Sequence, residues 1–236
     1  MSTPNALVLP VADGTEMHAY TAQPQNAASA PGIILFQEAF GVNHHIRSVA
    51  DRLAAAGYVV VAPELFHRTA APGLEIPYDN FAAAMPHYGA ITTEGLTHDA
   101  RAAYDWLQAQ PNVQKDKIAA IGFCLGGQVA FVANATLPLA AGVSYYGGGL
   151  HTRTDMAKDL HGTHLFFWGG LDAHISKDNV KTIIDAVDAA GKPYINTVIS
   201  YADHGFHCDE RPSYNKEAAA EAWALTLAFF KEKLGA

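Results

Sequence analysis

Little of this sequence is charged, and less of it is basic. Charged residues make up 16% of 236, with 15 Lys and Arg against 23 Asp and Glu, a formal net charge of −8. A polyanion-binding surface needs clustered cations and no run of them occurs, so nucleic acid is not an expected partner. Cysteine is scarce as well. Two thiols do not make a disulfide scaffold, and they suit a reducing compartment. Apolar stretches such as residues 58–63 fall far short of the roughly 20 residues that cross a bilayer. Residues 1–9 lack the basic region and long apolar core of a signal peptide. The expectation is a soluble, cytoplasmic protein without membrane contact, a monomer or a small homo-oligomer. Internal repeats, low-complexity segments and linkers are also missing, so one domain over residues 1–236 is the simplest account.

What the chain has is apolar residues, half of the total, and their pattern changes once. Residues 6–9 and 16–20 read as antiparallel strands about the Asp13-Gly14 turn. After a loop at 23–32, strands alternate with helices. Ile33-Ile34-Leu35-Phe36 is a continuous apolar run, as in a strand buried on both faces. A helix over 44–56 carries Ile46, Val49, Ala50 and Leu53 on one stripe and stops at Gly57. Strands follow at 58–62, 118–121, 140–146, 165–168 and 194–201. Helices are predicted at 93–110, 125–134, 177–190 and 215–233, with a short one near 81–85. Repeated β-then-α units predict an α/β fold, a mostly parallel sheet with helices on both faces.

The chemically richest segment is Ile121-Gly122-Phe123-Cys124-Leu125-Gly126-Gly127, a strand, a Gly-x-Cys-x-Gly-Gly turn and a helix. A nucleophile at the tip of a sharp strand-to-helix turn needs small neighbours two residues to either side. The turn puts Cys124 at a helix N-terminus, where free N–H groups favour a thiolate or an oxyanion. The Leu125 N–H is the expected oxyanion donor. A lone cysteine is more often a buried filler, and it is this setting that reverses the reading.

An acid and then a histidine are expected downstream. Asp172 ends the loop after the strand at 165–168, and His204 follows the strand at 194–201. Both lie past the C-terminal ends of strands, where open α/β sheets collect their sites. His204 would pass protons and activate water, and Asp172 would orient it. Taken singly, each has a bland reading, a loop aspartate and one of twelve histidines. Glu38 directly follows a buried strand, an unusual place for a carboxylate without a partner or a task. A cap or an ion pair is the plain explanation. Proton exchange with Cys124 is the sharper one, with the Ala39 N–H completing an oxyanion hole.

On these residues, with Gln37–Asn43, Gly122–Gly127, Tyr145-Tyr146-Gly147, Gly169–Asp172 and His204-Gly205-Phe206, nearly the whole chain resembles the dienelactone hydrolase family. The resemblance implies an α/β-hydrolase fold and a cofactor-free hydrolase opening an unsaturated lactone formed in aromatic ring degradation. It implies Cys124, His204 and Asp172 as a triad and Glu38 as the group that takes the thiol proton when substrate binds. It also matches Tyr145 and Tyr146 to a tyrosine pair and Arg68 to a loop arginine, as substrate-binding residues. Two arginines that hold the substrate carboxylate in the best-studied type are missing. Cys208 stands where one would lie, and residues 75–81 hold no basic residue. Arg211, on a loop that could fold back over the site, is the leading substitute, ahead of Arg68, His207 and the two tyrosine hydroxyls. Cys208, so placed, either approaches Cys124 and pairs with it on oxidation or is a bystander.

Two other activities compete with lactone opening. A general carboxylesterase acting on neutral esters shares the same triad. A metal hydrolase would draw ligands from His204-x-x-His207-Cys208 and His44-His45, yet no spacing resembles a familiar zinc motif. No metal or cofactor is therefore expected.

Overall fold

The pattern change near residue 30 marks a change of architecture. In a computed structural model describing residues 6–25 and 28–235, β1 (Ala6–Pro10) and β2 (Glu16–Ala22) pair antiparallel across the Asp13-Gly14 turn. The alternating part follows: β3 (Ala30–Phe36), α1 (His44–Ala55), β4 (Val59–Pro63), α2 (Phe81–Gly89), α3 (Thr93–Ala109), β5 (Val113–Phe123) and α4 (Leu125–Thr136). It continues with β6 (Ala141–Tyr145), β7 (Thr163–Gly169), α5 (Lys177–Ala189), β8 (Tyr194–Ile199) and α6 (Lys216–Leu234). The eight strands form one sheet in the order β1-β2-β4-β3-β5-β6-β7-β8. All pairs from β4 to β8 are parallel. The expected α/β-hydrolase layout is the one observed.

Residue parity sorts the core. Ile33 and Leu35 face the side covered by Ile46, Val49 and Leu53 of α1 and Phe229 and Phe230 of α6. Ile34 and Phe36 face the side covered by Leu96 and Leu107 of α3 and Val129 of α4, because successive side chains of a strand point to opposite faces. From Leu125 to Ala135 every residue of α4 is buried. That explains a helix with almost no polar face.

Three boundaries differ most from the sequence reading. β3 starts at Ala30 rather than Ile33, and Pro31 is accommodated at a register shift between Ala30 and Gly32. β5 starts five residues early, at Val113, and its first half carries the exposed Lys115 and Asp116. α2 runs through Pro86 to Gly89. A 3-10 segment at Leu150–Asp159 was not expected. Residues 1–5 of the segment read for a signal peptide, and 26–27 of the expected loop, lie outside the described residues. Among the described residues, no helix is long and apolar enough to cross a membrane.

The chain leaves β3 to one side toward β4 and returns on its other side as β5. The crevice at such a reversal, past the strand C-termini, is the natural binding place in an open parallel sheet. Glu38 follows β3 there and Cys124 follows β5.

Candidate active site

β5 runs directly into Cys124, and α4 starts at the next residue. The turn is so tight that a Cβ on Gly122 would lie 1.9 Å from the Gly126 carbonyl oxygen. One on Gly126 would lie 2.2 Å from the Phe36 carbonyl oxygen. Cys124 itself has φ 53° and ψ −114°, a conformation that side chains rarely adopt and that surrounding structure must enforce. Neighbouring backbone does so. The Cys124 N–H donates to the Tyr145 carbonyl at 3.0 Å, and the Cys124 carbonyl accepts from Gly127 and Gly148 at 3.0 and 3.2 Å.

The loops after β7 and β8 bring the other two groups to this point. His204 Nε2 lies 3.2 Å from Cys124 Sγ, and His204 Nδ1 donates to Asp172 Oδ2 at 2.8 Å. Asp172 Oδ1 accepts from the amides of His174 and Ile175 at 2.7 and 3.0 Å. Both oxygens are thus committed. Burial opposes ionisation of Asp172, but the hydrogen bond and charge of His204, with the two amides, hold its carboxyl below the usual range. For His204 burial also works against the charge. The negative charge of Cys124 and the hydrogen bonds to Asp172 and Cys124 outweigh it and push the imidazole up to about 10.

Glu38 is fully buried, and its Oε1 accepts from Arg211 Nη1 at 3.1 Å. Its Oε2 has no partner among the described residues. The Arg211 guanidinium also lies over the rings of Phe40 and Tyr78, at 5.5 and 5.8 Å. Burial works against its charge, and Glu38 together with the Tyr146, Cys124 and Cys208 groups more than offsets that. Ala39, buried, directly follows Glu38, and Leu125 directly follows Cys124.

These groups face a cavity of about 380 Å³. Phe40, Tyr78, Phe81 and Tyr88 give it an aromatic wall. Cys124, His174, His204 and Arg211 form its polar end, beside Gly148 and Gly149. A Cβ on Gly148 would stand 4.0 Å from Cys124 Sγ, so the bare backbone there keeps the thiol open. Gln128 Nε2 holds this turn by donating to the Gly148 carbonyl at 2.8 Å, and Arg153 Nε holds Gln128 at 2.9 Å.

Cys124, His204, Asp172, Glu38 and Arg211 are therefore brought together, and several expected residues are not. Arg68 does not line this cavity. It makes a two-pronged contact with Asp99 at 2.8 and 3.0 Å and another with Asp13 at 2.7 Å, because the fully buried Asp99 carboxylate demands a cation. Tyr145 is turned into the core, its hydroxyl 2.7 Å from Thr226 and its ring on Phe123 and Phe167. Tyr146, just past the end of β6 and held at φ 37°, packs 5.1 Å from the His204 ring. It is fully buried behind the cavity rather than exposed to it. His207 stacks on Phe123 and is held neutral by burial. Cys208 is buried too, and that burial, followed by the charge of Glu38, pushes the thiol up to about 12.

Sequence reading missed Tyr78, Phe81, Tyr88 and His174. The three aromatics come from irregular chain and a short helix, where no periodicity singles them out. His174 did carry a signal. It follows an aspartate by two residues, the spacing at which an aspartate caps its own turn.

Comparison with known proteins shows the family. Residues 17–234 match the model of the dienelactone hydrolase family. A Synechocystis protein named "Putative carboxymethylenebutenolidase" is 34% identical over 228 residues, 91% of each chain. An Escherichia coli protein of the same name is 33% identical, covering 93% of this chain and 83% of its own. The crystal structure titled "Putative Dienelactone Hydrolase" from Klebsiella pneumoniae superposes with a TM-score of 0.85 at 32% identity, over 95% of this chain and 96% of that one. A "Dienelactone Hydrolase-like Promiscuous" phosphotriesterase from metagenomic libraries gives 0.83 at 26% identity, over 97% and 98%.

Proposed function

The chain belongs to the dienelactone hydrolase family and is a carboxylic ester hydrolase, and from that premise we propose that it opens a lactone or ester through a covalent thioester on Cys124. One observation carries this reading: the unbroken row Asp172–His204–Cys124, at 2.8 and 3.2 Å, opening on the aromatic cavity. The Cys124 thiolate attacks the carbonyl carbon, and the oxyanion meets the N–H groups of Leu125 and Ala39. The C–O bond breaks, and His204 supplies a proton to the departing oxygen. Water, deprotonated by His204, then cleaves the thioester and frees the thiol. Asp172 keeps the imidazole in register and stabilises its cation.

Arg211 and Glu38 set the substrate class. A substrate carboxylate would compete for Arg211, and the freed Glu38 would then accept the thiol proton. The aromatic wall suits an unsaturated lactone, such as ring degradation of aromatic compounds supplies. A neutral ester is the second reading, favoured by one fact. Arg211, the single arginine lining this cavity among the described residues, is already paired with Glu38. The test is hydrolysis of a dienelactone beside its methyl ester. A strong preference for the free acid supports the first reading, equal rates support the second, and no hydrolysis of lactones or simple esters overturns both.

A further inference from the structure

A second group of reactive side chains lies on the α1 side of the loop between β8 and α6, and the proposed hydrolysis uses none of it. His45 is the second residue of α1, while Cys208 and Asp209 lie on the loop that also carries His204 and Arg211. One ligand atom from each of His45, Cys208 and Asp209 falls within 4.8 Å of the other two. His45 Nδ1 is already 3.1 Å from Asp209 Oδ1. Burial is graded across the group. His45 and Cys208 are buried at 2% and 0% exposure, while the Asp209 side chain is 68% exposed. The cluster therefore has a closed floor and one side open to solvent.

The buried floor is poorly satisfied as it stands. His45 Nε2 has no hydrogen-bond partner among the described residues, nor has Nδ1 of His207, whose ring lies 5.6 Å from that of His45. Imidazole, thiolate and carboxylate are the donors of a tetrahedral borderline-soft ion, with bonds of about 2.0–2.3 Å. Such an ion sets its donor atoms roughly 3.3–3.8 Å apart. The three side chains need to close by about 1 Å, chiefly through the exposed Asp209 side chain, with water in the fourth position.

We propose that His45, Cys208 and Asp209 form a site for a thiophilic divalent cation of the zinc class, and that its occupancy clamps the loop bearing His204 and Arg211 to the first turn of α1. On binding, the Cys208 S–H bond breaks, the proton passes to solvent and a sulfur–metal bond replaces it. His45 gives a nitrogen lone pair and keeps its proton on the other ring nitrogen. Asp209 gives a carboxylate oxygen. The thiolate and carboxylate balance the ion's two charges, and nothing is oxidised or reduced. A neighbouring contact, His44 Nδ1 to Glu210 Oε1 at 2.5 Å, joins the same loop to the same helix turn.

The test uses the full chain carrying Cys124→Ser, in which Cys208 is the remaining thiol, titrated with cobalt(II) as a spectroscopic stand-in for zinc. One equivalent should bind and give a thiolate-to-cobalt charge-transfer band that zinc(II) abolishes by displacement. Adding Cys208→Ser should remove the band. Adding His45→Gln or Asp209→Asn should weaken binding at least ~10-fold, the scale on which even outer-shell partners matter. Zinc should also raise the melting temperature of the Cys124→Ser protein and leave that of Cys124→Ser/Cys208→Ser unchanged. No band from folded Cys124→Ser protein overturns the site. So does a band of equal affinity after His45→Gln and Asp209→Asn, which would mean a lone thiol. Binding without a rise in melting temperature overturns the clamp.

Discussion

Arg211 Nη1 stands 3.1 Å from Glu38 Oε1, tying the loop after β8 to the loop after β3 across the mouth that exposes Cys124. The pair is unequal. Arg211 reaches the cavity, while Glu38 is fully buried with its second oxygen unpartnered. Removing Arg211 leaves a buried carboxylate without its cation. Arg211→Ala should therefore lower kcat/KM for a carboxylate-bearing lactone by about 10–100-fold, the worth of one charge-assisted contact of ~1.5–3 kcal/mol. The methyl ester should lose much less. Steady-state kinetics on both substrates measures this, and an equal loss on both would remove Arg211 from carboxylate recognition.

Gly148 separates the needs of the fold from those of the site. A Cβ at Gly148 meets only Cys124 Sγ, at 4.0 Å, whereas one at Gly126 lies 2.2 Å from a backbone oxygen. Gly148→Ala should fold with a near-normal melting temperature and lose activity most on bulky esters. Gly126→Ala should fail to accumulate as folded protein. A Gly148→Ala enzyme with unchanged KM and kcat across acyl sizes would place the acyl pocket elsewhere.

Stability should depend on pH through the same row of residues. His204 is raised from 6.5 to about 10. A raised base binds more protons folded than unfolded, so its contribution is complete below about pH 6.5 and disappears as the pH rises through about 10. Asp172 is shifted down, so its contribution is present above the unfolded value near ~3.9 and is lost as the pH falls through its folded value. Thermal melts should show a decline between about pH 6.5 and 10. Cys124→Ala removes the sulfur that Nε2 faces, whose ionised form favours the imidazolium, and its decline should be shallower. Identical alkaline declines would mean that Cys124 does not hold the proton on His204.

Arg68 is expected to matter for stability and not for catalysis. It is the main cation of the buried Asp99 carboxylate. Arg68→Ala should cost about 1–3 kcal/mol in denaturant unfolding and leave kcat/KM within twofold. A selective loss of activity with unchanged stability would restore Arg68 as a substrate ligand.

The contrast between Arg68 and Arg211 marks what was legible in the sequence. Strand-end positions were readable, because an apolar run followed by Gly-x-Cys-x-Gly or by an isolated Asp or His fixes where a side chain emerges. Cys124, Asp172, His204 and Glu38 were all placed past strand ends that way. Direction past the strand end was not readable. Tyr145 and Tyr146 are adjacent, yet one joins Thr226 in the core and the other packs on His204. Arg68 was claimed by Asp99, 31 residues away, a pairing no local pattern announces. The aromatic wall was hidden for a similar reason. Tyr78 lies in irregular chain and Phe81 opens a short helix containing Pro86, where position is set by tertiary contact and not by period.

The central claim is that Cys124 carries the acyl group, and the most direct measurement is the mass of the enzyme during turnover. Rapid acid quench of the enzyme with a slow ester, followed by intact-mass and peptide analysis, should show a single added acyl group on the peptide containing Cys124. The adduct should accumulate when His204→Asn slows its hydrolysis and be lost, together with turnover, in Cys124→Ala. An acyl group found on another residue, or a Cys124→Ala enzyme that keeps near-normal kcat on the same ester, would contradict the account.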